Sequence, residues 1–482
     1  MMKPRSHAAA TALLAAALTV ALSACVDRGG WKAASQVAPA QVAGEHALAG
    51  LPVDASAWPA EGWWHRFGDP QLDTLVNEAL AASPSLTVAE ARLRAAQAQA
   101  LAAGALKLPN VAFDAQVDRQ RYPENGLYPP PYAGNYYNDG RVAFDLSYDI
   151  DFWGRNRALI SAARSGVDAA EADRAAARLA LTVSVVRAYV QLDLWYALLD
   201  VATDQLKQQT SIMELTQQRV DAGLENLARV KQSESTLALT RAGIAAAQAN
   251  IDLARDQLAA LVAAGPDRGL TLTRPHLTAP AAIALPAALP ADLLGRRPDI
   301  AAARAQVQGA AQGVKAAERD FYPNVNLAAF AGLQSIGLDK LLQGSATIVD
   351  VSPALSLPVF NRRQLRGALE ARQAQFDASV GQYNQTLIDA VHDVADVVAN
   401  WRALDREAAE QQTALAAAQR AYDLTTERYR AGLDNYLSVL SAENQLLLAQ
   451  AVGAELGAQR LTFSVSLVRA LGGGYAAPAP HG

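Results

Sequence analysis

The segment Arg219-Val-Asp-Ala-Gly-Leu-Glu-Asn226 recurs 209 residues further along the chain as Arg428-Tyr-Arg-Ala-Gly-Leu-Asp-Asn435. Upstream of it, Pro109-Asn-Val111 matches Pro323-Asn-Val325 at the similar offset of 214 residues. A helical repeat array would show a period of about 20–50 residues. The offset therefore predicts that one large unit has been duplicated, so that the two halves of the chain share a single fold.

Long helices are predicted before and after each of the two matching turn segments. The proline-free stretches are Asn156–Val220, Glu225–Ala264, Arg362–Arg430 and Asn435–Ala470. At 1.5 Å per residue the first would reach roughly 95 Å, a length typical of coiled coils or tubes rather than compact domains. Gly223 and Gly432 supply the positive φ that a tight helix reversal usually needs. Each half is thus expected to hold a long helical hairpin.

Four other segments alternate apolar and polar residues with the period of two that a strand requires. They are Val111–Asp118, Arg141–Asp151, Asn324–Ala331 and Thr347–Val359, with predicted hairpin loops at Tyr122–Gly140 and Gly332–Ser345. Both a half-buried soluble sheet and a transmembrane barrel show this alternation. Because four strands cannot close a bacterial barrel, for which about eight is the minimum, a barrel would have to be shared among several copies of the chain.

The first 24 residues have the features of a signal peptide. Lys3 and Arg5 precede an apolar, alanine-rich run that is too short to span a bilayer. The run ends in Leu22-Ser-Ala-Cys25, which matches the bacterial lipobox, and Cys25 is the only cysteine of the chain. We therefore expect Cys25 to be lipidated and to become the first residue after cleavage. Val26 follows, where lipoproteins retained in the inner membrane commonly carry Asp, so the motif indicates the outer membrane.

Composition excludes several classes of protein. The formal charge is −5 with a pI near 5.8, and no basic run is present, so a nucleic acid partner is not expected. One cysteine excludes a disulfide framework, and six scattered histidines predict no metal site. After the signal peptide no stretch looks long and apolar enough for a membrane-spanning helix, so any crossing must use strands.

No catalytic residues are predicted. The sequence has no glycine-rich phosphate loop and no Gly-x-Ser-x-Gly elbow. His392 and Asp393 fall on a helical pattern, where a packed or solvated helix face explains them. Asp149 and Asp151 share one strand face, and the polarity of a barrel lumen accounts for them without glycosidase chemistry. The chain is predicted not to be an enzyme and to need no cofactor besides the lipid on Cys25.

Five short segments, in this order and behind a lipobox, resemble the TolC family of outer-membrane channels, specifically the lipoprotein branch that serves resistance–nodulation–division efflux pumps. They are Trp63-Trp-His-Arg-Phe67-Gly-Asp-Pro70, Asp151-Phe-Trp-Gly-Arg155, Arg296-Arg-Pro-Asp-Ile300, Phe321-Tyr-Pro-Asn-Val325 and the duplicated turn. The resemblance implies a mainly α-helical chain with a β-barrel portion. Three copies would form a twelve-stranded outer-membrane barrel, four strands from each, coaxial with a periplasmic α-barrel about 100 Å long.

The resemblance also implies a function and partners. The homotrimer would be the outer-membrane component of a tripartite efflux system in a Gram-negative bacterium. It would passively export drugs and other toxic small molecules that an inner-membrane resistance–nodulation–division transporter and a periplasmic adaptor (membrane fusion) protein hand on. A type I protein-secretion channel of the same fold and a non-channel coiled-coil envelope lipoprotein remain alternatives.

The predicted domain organisation follows from the repeat. It comprises a signal peptide (1–24), a lipid-anchored linker (25–62), the first repeat (63–265), an inter-repeat linker (266–290), the second repeat (291–470) and a disordered tail (471–482).

Site residues are expected at the helix reversals. By resemblance, the apolar tips that meet the adaptor are Ala222, Gly223, Leu224, Ala431, Gly432 and Leu433. The periplasmic gate would use Arg229, Asp434, Arg428, Tyr429, Leu437, Ser438 and Ser441. Some family members have acidic residues where this chain has Ser438 and Ser441, so an acidic constriction is not expected here. Arg229 and Asp434 exchange the charges found in the family, which suggests a charge-swapped pair that holds the gate closed; unpaired solvated charges are the alternative.

Overall fold

The computed structural model describes residues 30–42, 48, 54, 58–278, 284–286, 293, 295–358 and 360–477. The signal peptide and Cys25 lie outside these residues. The main helices are α1 Pro70–Ala82, α2 Pro84–Gly104, α3 Arg155–Asp221, α4 Leu227–Leu261, α5 Pro298–Arg319, α6 Arg362–Arg430 and α7 Tyr436–Ala470. The strands are β1 Asn110–Arg121, β2 Tyr136–Ile150, β3 Asn324–Ile336 and β4 Thr347–Ser356.

The chain divides into two compact units. The sheet unit contains residues 30–36, Leu93–Ala170 and Ala303–Tyr383. The helical unit contains the described parts of Val37–Arg92, Glu171–Ala302 and Asn384–Gly482.

The four strands form one antiparallel sheet in the order β1-β2-β3-β4. A single row of apolar residues crosses it, in which Phe113 pairs with Phe144, Phe144 with Ala331, and Ala331 with Val349. Because side chains alternate between the two faces of a strand, this pairing gathers the apolar positions of all four strands on one face. The opposite face carries Asp114, Asp118, Arg141, Asp145 and Asp350.

Three strands are longer than the alternation predicted, whereas β4 ends at Ser356, before the predicted Val359. Residues 136–140, placed in the first loop, belong to β2, and residues 332–336, placed in the second, belong to β3. Pairing extends them, since Tyr136 lies opposite Arg121 and Asp139 lies opposite Ile336. The loops therefore span residues 122–135 and 337–346 only.

A small core lies beside the sheet in the same unit. Phe321 and Leu369 are buried there, and Trp31 packs against them together with Phe376. The indole Nε1 of Trp31 donates a hydrogen bond to Asp377 at 2.9 Å. Residues 30–36, which belong to the predicted lipid-anchored linker, are thus bound to α6.

The main core of the helical unit surrounds the middle of α3. Val185, Val186 and Leu192 are at most 2% exposed, and they pack with the Trp63–Phe67 turn and α1. α3 contains a window that is long and apolar enough to cross a membrane, contrary to our expectation, but half of that window is buried within the protein. Packing inside the protein also produces such apolar stretches on a helix.

A buried carboxylate joins the start of α1 to the predicted inter-repeat linker. Asp69 accepts hydrogen bonds from the Tyr189 hydroxyl at 2.7 Å and from the His276 N–H at 2.8 Å. Burial tends to raise the pKa of Asp69, but these donors and the Gln71 N–H outweigh it and lower the pKa. The linker is therefore packed in this part, and Leu272 is almost completely buried.

The predicted disordered tail requires a correction for residues 471–477. Leu471 is 2% exposed, and the Ala477 N–H donates a hydrogen bond to the Gly295 carbonyl at 2.9 Å. A Cβ added at Gly472 would lie 1.9 Å from the Arg296 carbonyl oxygen. The glycines that suggested disorder instead permit close packing. Residues 478–482 lie outside the described part of the chain.

The long helices agree closely with the predicted bounds. α6 has the predicted ends, whereas α7 begins one residue later because Asn435 is an extended N-cap whose side chain accepts a hydrogen bond from the Ser438 N–H. α4 begins at Leu227 after the corresponding N-cap Asn226. It ends three residues before the predicted Ala264 because Ala263 has the left-handed φ of 57°.

Candidate functional site

The two helix reversals have the same backbone geometry. Gly223 and Gly432 adopt φ values of 70° and 75°, which a residue with a Cβ rarely does. Each reversal is closed by the long bond of a Schellman motif, from the Leu224 N–H to the Arg219 carbonyl (2.8 Å) and from the Leu433 N–H to the Arg428 carbonyl (2.9 Å). The repeated sequence thus specifies a repeated turn.

All six predicted tip residues are exposed. Leu224 is 67% exposed and Leu433 is 68% exposed, although leucine is normally buried. Beside them on the following helices, Leu227 and Leu437 also remain largely exposed. The ends of the two hairpins therefore present four leucines to their surroundings.

Arg219 joins the two turns. Its Nη1 donates a hydrogen bond to the Tyr429 carbonyl at 3.0 Å, and its guanidinium lies 4.8 Å from the centre of the Tyr429 ring. The Tyr429 hydroxyl, 3.1 Å from the Thr216 hydroxyl, is buried, and the residue has no exposed surface. Tyr429, predicted in the gate, therefore packs from α6 against α3 within the chain.

Three of the predicted gate residues meet at the second turn. Asp434 accepts hydrogen bonds from the Ser438 side chain and the Asn435 N–H, and its Oδ2 lies 3.3 Å from Nε of Arg428. These contacts, of which the Ser438 hydrogen bond is the strongest, lower the pKa of Asp434. The carboxylate also lies at the N-terminus of α7, where the helix dipole favours a negative charge.

Arg229 is not paired with Asp434 in the single chain that the structure describes. Its Nη1 donates instead to the side chain of Gln232 at 3.2 Å. The Arg229–Asp434 pair in the closed gate stays a prediction. Ser441 and Leu437 are exposed on α7.

Sequence reasoning missed a buried polar cluster near these turns. Glu443 is 2% exposed within a core that includes Tyr422 and Tyr436, and its Oε1 has no hydrogen-bond partner among the described residues. Burial raises the pKa of Glu443 to about 7, although a hydrogen bond with Gln209 partly opposes the shift. Its repeat counterpart Glu234 is exposed, with an oxygen 2.9 Å from Nζ of Lys231.

The residues considered for catalysis have structural contacts. Asp151 accepts hydrogen bonds from the N–H groups of Asn156 and Arg157 at the start of α3, both at 2.9 Å. Asp393 pairs with the buried Arg297 at 3.1 Å. In the described part of the chain no three His, Cys, Asp or Glu side chains are grouped so that they could hold a metal ion.

The apolar face of the sheet is exposed. Phe113, Phe144 and Val349 are between 59% and 70% exposed in the single chain. A sheet of a soluble domain would bury this face against a core, whereas a lipid-facing barrel wall exposes it. β1 pairs only with β2 and β4 only with β3, so within the described residues each outer strand leaves one edge unpaired.

Comparisons with known proteins agree with this geometry. The family described as outer membrane efflux protein matches residues 75–264 and 289–473. Fusaric acid resistance protein FusA of Burkholderia cepacia is 38% identical over 373 residues, which are 75% of this chain and 69% of that protein. Multidrug resistance outer membrane protein MdtP of Escherichia coli is 31% identical over 436 residues, 88% of each chain. The crystal structure of the outer membrane protein VceC of Vibrio cholerae superposes with a TM-score of 0.81 at 38% identity, covering 86% of this chain and all of that one.

Proposed function

The chain belongs to the outer membrane efflux protein family, and we propose that it works as a lipid-anchored homotrimer. The family confirms the predicted resemblance to TolC-like channels and their mainly helical fold with four strands per chain. The protein is an outer-membrane efflux channel, and the coiled-coil tether without a channel is thereby excluded.

One observation supports a barrel that is shared among several copies of the chain. A four-stranded sheet with an exposed apolar face and two unpaired edges must find further strands in a membrane, because no water is available there to satisfy open edges. Three copies supply twelve strands, which exceeds the minimum of about eight for a closed barrel. The face with Asp114, Asp145 and Arg141 would then line a polar lumen.

In this trimer the long hairpins form the periplasmic conduit, and the six turns form its entrance. The channel is passive: it provides a wide polar path and uses no catalytic group. A periplasmic adaptor docks at the exposed turns, and an inner-membrane transporter of the resistance–nodulation–division class delivers the cargo. The cargo is proposed to be small toxic organic compounds, since relatives are named for resistance to fusaric acid and to multiple drugs.

The oligomer is tested by measuring the mass of the detergent-solubilised protein by light scattering, beside a gel on which heated and unheated samples are compared. We expect a trimer that dissociates only on heating and that conducts ions in a planar bilayer. A monomer without bound detergent would contradict the shared barrel.

The lipid anchor is tested separately by growing cells with labelled palmitate. The wild-type protein should carry the label and the Cys25→Ser variant should not, while both keep the same strands. Label on both proteins, or on neither, would refute lipidation at Cys25.

A further inference from the structure

The two turns at the ends of the hairpins carry opposite charges. The first turn has the acidic residues Asp221 and Glu225, of which Asp221 is exposed to solvent. The second has Arg428 and Arg430, both exposed, with Asp434 beside Arg428 and the exposed Glu427 immediately before it. The sequence repeat therefore preserves the backbone of the turn but not its charge.

Arg219 increases this difference. It belongs to the first turn by sequence, yet its guanidinium is bonded to the Tyr429 carbonyl at the end of α6. A positive charge at that position also interacts favourably with the C-terminus of the helix. The second turn thus gathers three arginines against the two acids Asp434 and Glu427, whereas the first keeps two acids against Arg229 alone, which lies at the start of α4.

Both charged areas surround apolar side chains. Leu224 lies between Asp221 and Glu225, and Leu433 lies between Arg430 and Asp434. An exposed leucine with charged residues around it is the usual composition of a docking surface, in which apolar contact supplies affinity and charge selects the partner.

We propose that the two turns select one partner surface of complementary charge, the apolar tip of a helical hairpin. This tip places basic side chains against the first turn and acidic side chains against the second. The inference rests on the proposed function, in which these turns dock an adaptor, and it specifies what that adaptor must carry. The two turns of a chain are consequently not interchangeable sites.

The experiment uses the full-length protein in detergent and three synthetic helical hairpins with the same leucine tip. Their tips are flanked by lysines, glutamates or glutamines. One variant reverses the first turn (Asp221→Lys with Glu225→Lys), and another reverses the second (Arg428→Glu with Arg430→Glu). The control Glu407→Lys with Glu410→Lys makes the same charge change as the first variant at exposed sites on α6, away from the turns.

The wild type should bind the lysine and glutamate hairpins more tightly than the glutamine hairpin. Reversing the first turn should weaken binding of the lysine hairpin about tenfold and spare the glutamate hairpin; reversing the second should do the opposite. The control should bind all three as the wild type does. An Asp221→Asn with Glu225→Gln variant, which introduces no repulsion, should show a smaller loss in the same direction.

Three results would overturn the inference. The wild type could bind all three hairpins equally, the control could lose binding as the first variant does, or each reversal could weaken binding of the lysine and glutamate hairpins to the same extent. Doubling of the wild-type mass at low salt, abolished by either reversal, would also overturn it, because the complementary surface would then be a second copy. The mass of each protein in detergent separates a failure of this inference from a failure of the proposed function. A trimer that dissociates only on heating but shows no charge-selective docking refutes only this inference, whereas a monomer without bound detergent refutes the proposed function.

Discussion

Glu443→Gln should make the free energy of unfolding of the helices near the turns less dependent on pH. The carboxyl of Glu443 is buried and titrates near pH 7, compared with 4.5 for an ordinary glutamate. Between these values the folded chain keeps a proton that the unfolded chain has lost, so the free energy of unfolding must fall as the pH rises.

The magnitude follows from the same two values. A difference of one pKa unit corresponds to about 1.4 kcal/mol, so the loss between pH 4.5 and pH 7 is about 3 kcal/mol and is constant at higher pH. Glutamine keeps the shape of the side chain and carries no charge. The variant should therefore match the wild type at pH 4.5 and exceed it by up to about 3 kcal/mol at pH 8.

Hydrogen exchange of the α7 amides around Glu443 measures this locally, without unfolding the whole protein. At pH 8 the variant should exchange up to about 100-fold more slowly than the wild type at the same pH. Glu234→Gln is the matched control, since this repeat counterpart is exposed and paired with Lys231, and it should change the exchange little. Equal exchange of wild type and Glu443→Gln at pH 8 would refute the reasoning.

Three further predictions concern stability, each measured by denaturant or thermal unfolding of the solubilised protein. Arg297→Ala should destabilise the helical unit by about 3 kcal/mol, because the buried guanidinium forms hydrogen bonds with two carboxylates and two carbonyls. Arg297→Lys should restore only part of this stability, and full recovery would show that the charge alone matters. Ala263→Gly should stabilise the protein by about 0.5–1 kcal/mol, because Ala263 has a left-handed φ at the position where the second repeat has a glycine. A loss of stability would contradict backbone strain at Ala263. Gly472→Ala should be strongly destabilising because the new Cβ would overlap the Arg296 carbonyl. Gly453→Ala should not be, because the space around Gly453 is open. Similar effects of the two substitutions would refute the close packing at Gly472.

Backbone features of this protein could be predicted from the sequence. The turns depend on a glycine and its neighbours, and the bounds of α6 follow from an uninterrupted helical stretch. Alternation predicts the strands, but residues 136–140 are predicted to lie in a loop because Asn138, Asp139 and Gly140 favour turns. They become strand through pairing with β1 and β3, which is a tertiary effect.

Side-chain partners could not be predicted in the same way. Arg219 and Arg229 are both close to the turn in sequence, and only the packing of α3 against α6 determines that Arg219 reaches Tyr429. Glu234 and Glu443 are equivalent in the repeat, yet Glu234 is exposed and pairs with Lys231, whereas Glu443 is buried. The sequence signal that could have indicated Glu443 is its apolar and aromatic surroundings on α7, which predict burial of the whole face.

The bond from Arg219 to the end of α6 has a mechanical consequence. It fastens the tip of the first hairpin to the tip of the second within one chain, and the ring of Tyr429 beneath the guanidinium adds a second point of attachment. Any widening of the conduit that separated these two tips would have to break both contacts. In the proposed trimer, widening should therefore occur at the boundaries between neighbouring chains, with the two tips of each chain moving together.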